Sequence, residues 1–112
     1  MNYNVKSISV FERQAKRLIK KYASLQKELL TLISELKINP QLGASVGNNC
    51  YKIRLAVSSK GKGKSGGARI ITNVAIIEKN VYLLTIYDKS EQSDITNKEL
   101  AELLKYIPRQ NK

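Results

Sequence analysis

The sequence predicts an α+β fold: a small antiparallel sheet with an N-terminal helical hairpin packed on one face and a C-terminal helix, in the order β-αα-βββ-α. Three observations predict it. Apolar residues recur at helix spacing up to Asn39-Pro40, change to alternation or β-branched runs between Tyr51 and Tyr87, and return to helix spacing after Asn97. At 112 residues the chain reads as a single domain, 1–112, with room for one modest core.

A short strand, roughly Tyr3 to Ser7, opens the chain. Phe11, Ala15, Leu18, Ile19 and Tyr22 then form the apolar stripe of a first helix, with Ser9 as its N-cap. Leu25, Leu29, Leu32, Ile33 and Leu36 repeat the pattern, with Ser24 as cap. This second helix stops before Asn39-Pro40, because a residue preceding proline is pushed out of the helical region. The two make a helical hairpin whose narrow stripes need another layer. Residues 41–49, QLGASVGNN, read as turn. Tyr51–Val57 alternates, with Ile53, Leu55 and Val57 on one face and Lys52 and Arg54 on the other. Arg69–Ile77 and Val81–Tyr87 are β-branched and aromatic, and Glu78-Lys79-Asn80 turns between them. Ser90 to Thr96 is polar loop. Asn97–Ile107 resumes helix spacing through Leu100, Leu103, Leu104 and Ile107, ended by Pro108.

Hydrophobic content of 42% with 26% charged residues suits a folded chain rather than a disordered one. No apolar run approaches the roughly 18 residues that span a bilayer, and no secretory signal is visible, so a cytoplasmic protein without membrane contact is expected. Cys50 is alone and the chain has no histidine, which leaves no intramolecular disulfide and no zinc site. Cys50 reads as a structural thiol. No metal and no small-molecule cofactor are expected.

Charge points to a partner. Twenty Lys and Arg against nine Asp and Glu give +11. No acid falls between Glu35 and Glu78, a stretch that holds Lys37, Lys52, Arg54, Lys60, Lys62, Lys64 and Arg69. Such a stretch creates a positive potential that attracts an outside anion, nucleic acid first and an acidic protein second. Within it, SSKGKGKS at 58–65 differs from a nucleotide phosphate loop by Ser58 in place of the first glycine. A phosphate loop must lead into a helix, whose amides complete the cradle, and this one leads into a strand. Lys60, Lys62 and Lys64 are instead candidate RNA-phosphate contacts, since lysine suits sequence-blind contacts. A solvated linker and a docking edge for an acidic protein are the alternatives. On the first helix, Lys16, Arg17, Lys20 and Lys21 read first as a solvated face and second as a ribosomal RNA contact.

K-I-R at 52–54, S-K-G-K-G-K-S-G-G-A-R-I-I at 59–71 and Y-L-L-T-I-Y-D-K-S-E at 82–91 resemble the RelE/HigB toxins of bacterial type II toxin–antitoxin modules. N-P-x-x-G at 39–43, D-I at 94–95 and K-E-L at 98–100 extend the resemblance from Asn39 to Leu104. It implies a small α+β fold and a ribosome-dependent endoribonuclease that cuts mRNA and inhibits translation. A cognate antitoxin protein, the ribosome and mRNA are the implied partners. By position, the family's cationic catalytic residues fall on Lys52, Arg54, Arg69 and Lys89, with Tyr87 on the last strand. Several relatives carry Tyr or His just after that strand, where this chain has Ile95 and Thr96, so the general acid or base stays open. The superfamily also contains ParE-type gyrase inhibitors, which share the scaffold without the cationic set. A non-catalytic RNA-binding module is the third reading.

Metal-independent RNA cleavage uses the neighbouring 2′-hydroxyl as nucleophile and needs its proton removed, the phosphorane stabilised and the 5′-oxygen protonated. Without histidine, cations and phenols must serve. Lys52, beside Arg54 and facing Arg69, is the candidate base. Arg54 and Arg69 are candidate phosphate clamps, Arg69 being taken as an exposed cation, and Lys89 or Tyr87 is the candidate acid. Asp88, Glu91 and Asp94 read as loop-capping or solvated residues, and Tyr87 equally as packing.

Overall fold

The computed structural model describes residues 2–61 and 63–108. In chain order these residues form β1 (Asn4–Ser7), α1 (Ser9–Lys21), α2 (Leu25–Ile38), β2 (Ala44–Gly47), β3 (Cys50–Leu55), a 3-10 turn (Ser58–Lys60), β4 (Ala68–Ala75), β5 (Asn80–Asp88) and α3 (Asn97–Leu104). The strands make one sheet ordered β1-β5-β4-β3-β2. Two features depart from the sequence expectation. The sheet is mixed rather than antiparallel, because β1 lies parallel to β5, with Asn4 opposite Asn80 and Ser7 opposite Leu83. A four-residue strand with one half-buried position carries too little pattern to specify its partner or direction.

The second departure is β2. Residues 41–49 contain a strand as well as turns, because Asn48 and Asn49 both sit at positive φ, 54° and 59°, between the paired residues Gly47 and Cys50. Two consecutive left-handed residues are what a tight two-residue hairpin requires, and asparagine tolerates them. Other boundaries shift by a residue or a few. β3 stops at Leu55, β4 stops at Ala75 with a turn at 76–79, and α3 stops at Leu104. Ile8, not Ser9, is the N-cap of α1. Ser24 is the N-cap of α2, but its hydroxyl donates to Glu28 and accepts from the Ser59 amide at 3.0 Å instead of capping an amide of its own helix.

The apolar stripes meet as the pattern requires. Phe11 and Leu18 of α1 and Leu25, Leu29, Leu32 and Leu36 of α2 are buried in one core with the sheet. Every residue of β5 is buried, as expected of a strand with neighbours on both sides and helices over it. Past the end of β1, α1 guards the outer edge of β5. There Gln14 Oε1 accepts from the Ile86 amide at 3.1 Å and from Thr85 Oγ1 at 2.8 Å, satisfying an edge that no strand covers. The α3 start is fixed by a capping box between Thr96 and Glu99. Cys50 is fully buried, and burial pushes its thiol up, which suits the structural role expected of it.

One glycine decides how closely β3 and β4 approach at the loop end. A Cβ on Gly67 would stand 2.1 Å from the Leu55 carbonyl oxygen, which is backbone and cannot turn aside. Gly67→Ala is therefore expected to cost about 3 kcal/mol, the upper end of overpacking losses, in urea unfolding. Gly61→Ala meets nothing within 4 Å and bears only the strain of a positive φ, so its loss should be clearly smaller.

Candidate functional site

Residues opposite one another across a sheet share a face, which makes the register the first determinant of the site. Arg54 of β3 lies opposite Arg69 of β4, and Arg69 opposite Tyr87 of β5, so the three form one row across the sheet. Lys52 stands two residues along β3 from Arg54 and shares its face. Its own cross-strand partner is Ile71, not Arg69 as the sequence suggested. Lys89 follows β5 by one residue, and its amide donates to the Gly67 carbonyl at 3.0 Å, prolonging the contact with the base of the basic loop. Lys64 joins Lys52 and Arg54 in lining a groove of about 540 Å³ along the side of β3.

The expected residues therefore gather at one end of the sheet, but in unequal roles. Arg54 is exposed and makes no ion pair among those found in the described residues. Arg69, expected as an exposed clamp, is only 5% exposed. Its guanidinium donates to the carbonyls of Lys64 at 2.7 Å, Ala68 at 3.2 Å and Ser65 at 3.2 Å, so it braces the loop from beneath. Tyr87 is buried too, and among the described residues its hydroxyl makes no hydrogen bond of ordinary geometry, although the Asp94 carboxylate stands near enough to act on it. Burial pushes that phenol up, with the Asp94 charge adding and Arg69 opposing, so at neutral pH it is a protonated donor. Lys89 is half-buried, with its ammonium donating to the Ser93 carbonyl at 3.3 Å.

The three loop lysines also separate. Lys64 is exposed, and Lys62 lies outside the described residues. Lys60 turns inward. Its ammonium sits 2.5 Å from Asp88 Oδ1 and 3.2 Å from Ser90 Oγ, above the ring of Tyr22. Asp88 is fully buried and also accepts from the Tyr22 hydroxyl, the Ser90 amide at 3.0 Å and Ser90 Oγ at 2.7 Å. Burial alone would raise its carboxyl, but the bonds from Lys60, Tyr22 and Ser90 outweigh burial and hold it far below the usual carboxylate range. Glu28 of α2 secures the same loop from the other side. Its Oε2 accepts from the Ser58 amide at 2.8 Å and from Ser58 Oγ at 2.7 Å.

Two carboxylates that the sequence left as solvation thus have defined places. The acid-free stretch 36–77 receives Asp88 at Lys60 and Asp94 at Lys52, the latter at 3.2 Å. Asp94 is held ionised by the Ile95 amide and by Lys52, which lower its carboxyl. Sequence reasoning missed both because Asp88 lies at the far end of β5 and Asp94 beyond it, each distant in sequence from its lysine. The signal for Asp88 was its place as the charged last residue of a strand otherwise without charge, where a buried carboxylate must find a cation. Among the described residues, no group of three His, Cys, Asp or Glu side chains stands together as a metal-binding set. No helix among them is long and apolar enough to cross a membrane.

A mixed five-stranded sheet, helices over its core and a cationic row at one end define a small α+β protein whose positive side chains converge at one end of the sheet. Residues 8–110 match the family described as the RelE toxin of the RelE/RelB toxin–antitoxin system, and the chain belongs to that family. Its fold is similar to that of the E. coli toxin RelE, solved as a double arginine-to-alanine mutant in the free state. That likeness has a TM-score of 0.58 at 17% identity and covers 96% of this chain and 100% of that one. The same mutant in complex with a peptide of the antitoxin RelBc is similar at a TM-score of 0.57 and 19% identity, with the same coverage.

Proposed function

We propose that this toxin cuts messenger RNA on the ribosome by metal-independent transesterification and that a cognate antitoxin protein silences it. The observation that carries the proposal is the row Arg54–Arg69–Tyr87, flanked on the same end of the sheet by Lys52, Lys64 and Lys89. Exposed Arg54 clamps the scissile phosphate, because its planar fork matches two phosphate oxygens. Lys64, with Lys62, holds the flanking backbone. Lys60 contributes indirectly, by fixing the loop through Asp88.

In the reaction the 2′-oxygen attacks the adjacent phosphorus and the bond to the 5′-oxygen breaks. The products are a 2′,3′-cyclic phosphate and a 5′-hydroxyl. Lys52 already donates to Asp94, so it enters as a cation that stabilises the phosphorane rather than as the base. Asp94 is the ionised carboxylate on this face and takes the 2′-hydroxyl proton. The leaving oxygen receives a proton from Lys89 or Tyr87, Lys89 being the more accessible of the two. Arg69 positions the loop carbonyls and adds positive potential under the phosphate. A carboxylate and weakly placed donors give modest acid–base catalysis, so orientation of the message by the ribosome supplies much of the rate.

The test is expression without a partner. Induction is expected to arrest bacterial growth, with messages cut inside reading frames when their new 5′ ends are sequenced. Co-expression of the antitoxin should restore growth. Intact messages with inhibited DNA supercoiling would replace the nuclease by a gyrase inhibitor. RNA binding with neither cuts nor arrest would leave a binding module.

A further inference from the structure

The outer face of α1 carries a charge pattern that the cleavage reaction does not use. Arg13, Lys16, Arg17, Lys20 and Lys21 are all exposed and line one shallow groove of about 580 Å³. Their spacing of three, four, seven and eight residues sets them on one helical stripe. Over that span the stripe extends about 12 Å along the helix axis. Two acids meet it: buried Asp88 at the end of β5 stands 3.8 Å from Lys21 Nζ, and exposed Glu91 of the following segment makes the closer contacts. Glu91 accepts from Arg17 Nη2 at 2.7 Å, Arg17 Nη1 at 3.5 Å and Lys21 Nζ at 2.9 Å. A guanidinium fork and an ammonium converging on one exposed pair of oxygens is the arrangement that a phosphate also fills. Arg13, Lys16 and Lys20 make no ion pair among the described residues.

We infer that this face binds the phosphates of folded RNA, with the Glu91 carboxylate holding the place of one phosphate in the free protein. The inference rests on the proposed function and adds to it a second contact, made with RNA that is not the substrate. Protein partners fit the face poorly. Protein interfaces concentrate aromatic and apolar anchors at their centre and are depleted in lysine, whereas the groove lining is lysine and arginine alone. A phosphate backbone needs no apolar anchor and is recognised through such cations. The position is apt as well. Glu91 lies two residues beyond Lys89, so the α1 stripe and the cationic row adjoin the same segment of chain.

Binding to message-free small ribosomal subunits, measured across a salt series, tests this without any cleavage. Arg13→Gln/Lys16→Gln/Lys20→Gln is expected to weaken binding more than tenfold near 0.1 M salt. It should also flatten the log–log salt slope by roughly 2–3, at about 0.9 per phosphate contact as calibrated on duplex DNA. Glu91→Gln should act in the opposite sense, raising affinity several-fold and steepening the slope by about 1 as Arg17 becomes free, while Lys21 keeps its longer pair with Asp88 at 3.8 Å. Glu102→Gln, which removes the same charge from an exposed pair with Lys105 on α3, is the control and should change the slope little. An unchanged slope in the triple variant overturns the inference, as does a Glu91→Gln effect no larger than that of Glu102→Gln. Normal ribosome binding by the triple variant with lost antitoxin capture would overturn it in favour of a protein-docking face. Because the readout is binding in the absence of message, it stands or falls separately from the nuclease reading.

Discussion

Replacing Arg54 by alanine is expected to lower message cleavage about a hundredfold or more while the protein melts as the wild type does. Arg54 is the exposed member of the row, and an exposed cation without an ion pair contributes little to folding. Its guanidinium is free to take a phosphate at no structural cost. Arg69→Ala is not an equivalent experiment. It removes three hydrogen bonds to the carbonyls of residues 64, 65 and 68 at a position 5% exposed, so it should lower stability and activity together. Single-turnover cutting in a purified translation system, beside a thermal melt, separates the two. Near wild-type cutting by Arg54→Ala would remove that residue from the site.

Asp88→Asn should lower stability by about 3 kcal/mol, a loss comparable to that of Gly67→Ala but with an electrostatic cause. The substitution leaves the Lys60 ammonium inside the protein without its counter-charge. Because Lys60 sits in a turn and can swing outward, the loss falls at the lower end of the range for breaking a buried pair. In a domain of this size that corresponds to a melting temperature lower by more than about 10 °C. The pair Lys60→Met/Asp88→Asn should recover part of the loss, since neither charge is then stranded. Acid should mimic the variant. The Asp88 carboxyl is lowered in the folded protein, so its contribution is complete above the unfolded value of about 3.9 and is lost as pH falls below it. Melting curves whose wild-type advantage over Asp88→Asn persisted undiminished to very low pH would contradict the role given to this carboxylate.

The helical hairpin, four of the strands and the last helix were legible in the sequence, the opening strand by position but not by partner or direction. Leu25 to Leu36 and Tyr51 to Leu55 declare their period most clearly. β1 and β2 were harder for different reasons. β1 has four residues and takes its partner from the far end of the chain, which periodicity does not encode. β2 was hidden by Gly and Asn, although Asn48-Asn49 is itself a hairpin signal once two strands are assumed around it. At the site, alternation correctly placed Lys52 and Arg54 together, but register was needed to set Arg69 against Arg54 rather than Lys52. Burial was the other unknown. Nothing in K-G-K-G-K distinguishes the lysine that turns inward, because its partner Asp88 lies 28 residues away at the end of another strand.

The parallel pairing of β1 with β5 has a consequence for synthesis. Asn4 to Ser7 must wait for Asn80 to Leu83, and the cationic row must wait for Tyr87, so neither the sheet edge nor the site can close on a partial chain. Pairings between such distant segments are slow to form and belong to the late steps of folding. A nascent chain emerges from the tunnel N-terminus first, which means that the helical hairpin is exposed well before the strands that complete the row. A ribosome making this chain therefore carries the cationic row unassembled until the codons of β5 have been read, and fold topology itself sets the moment at which that row can first form.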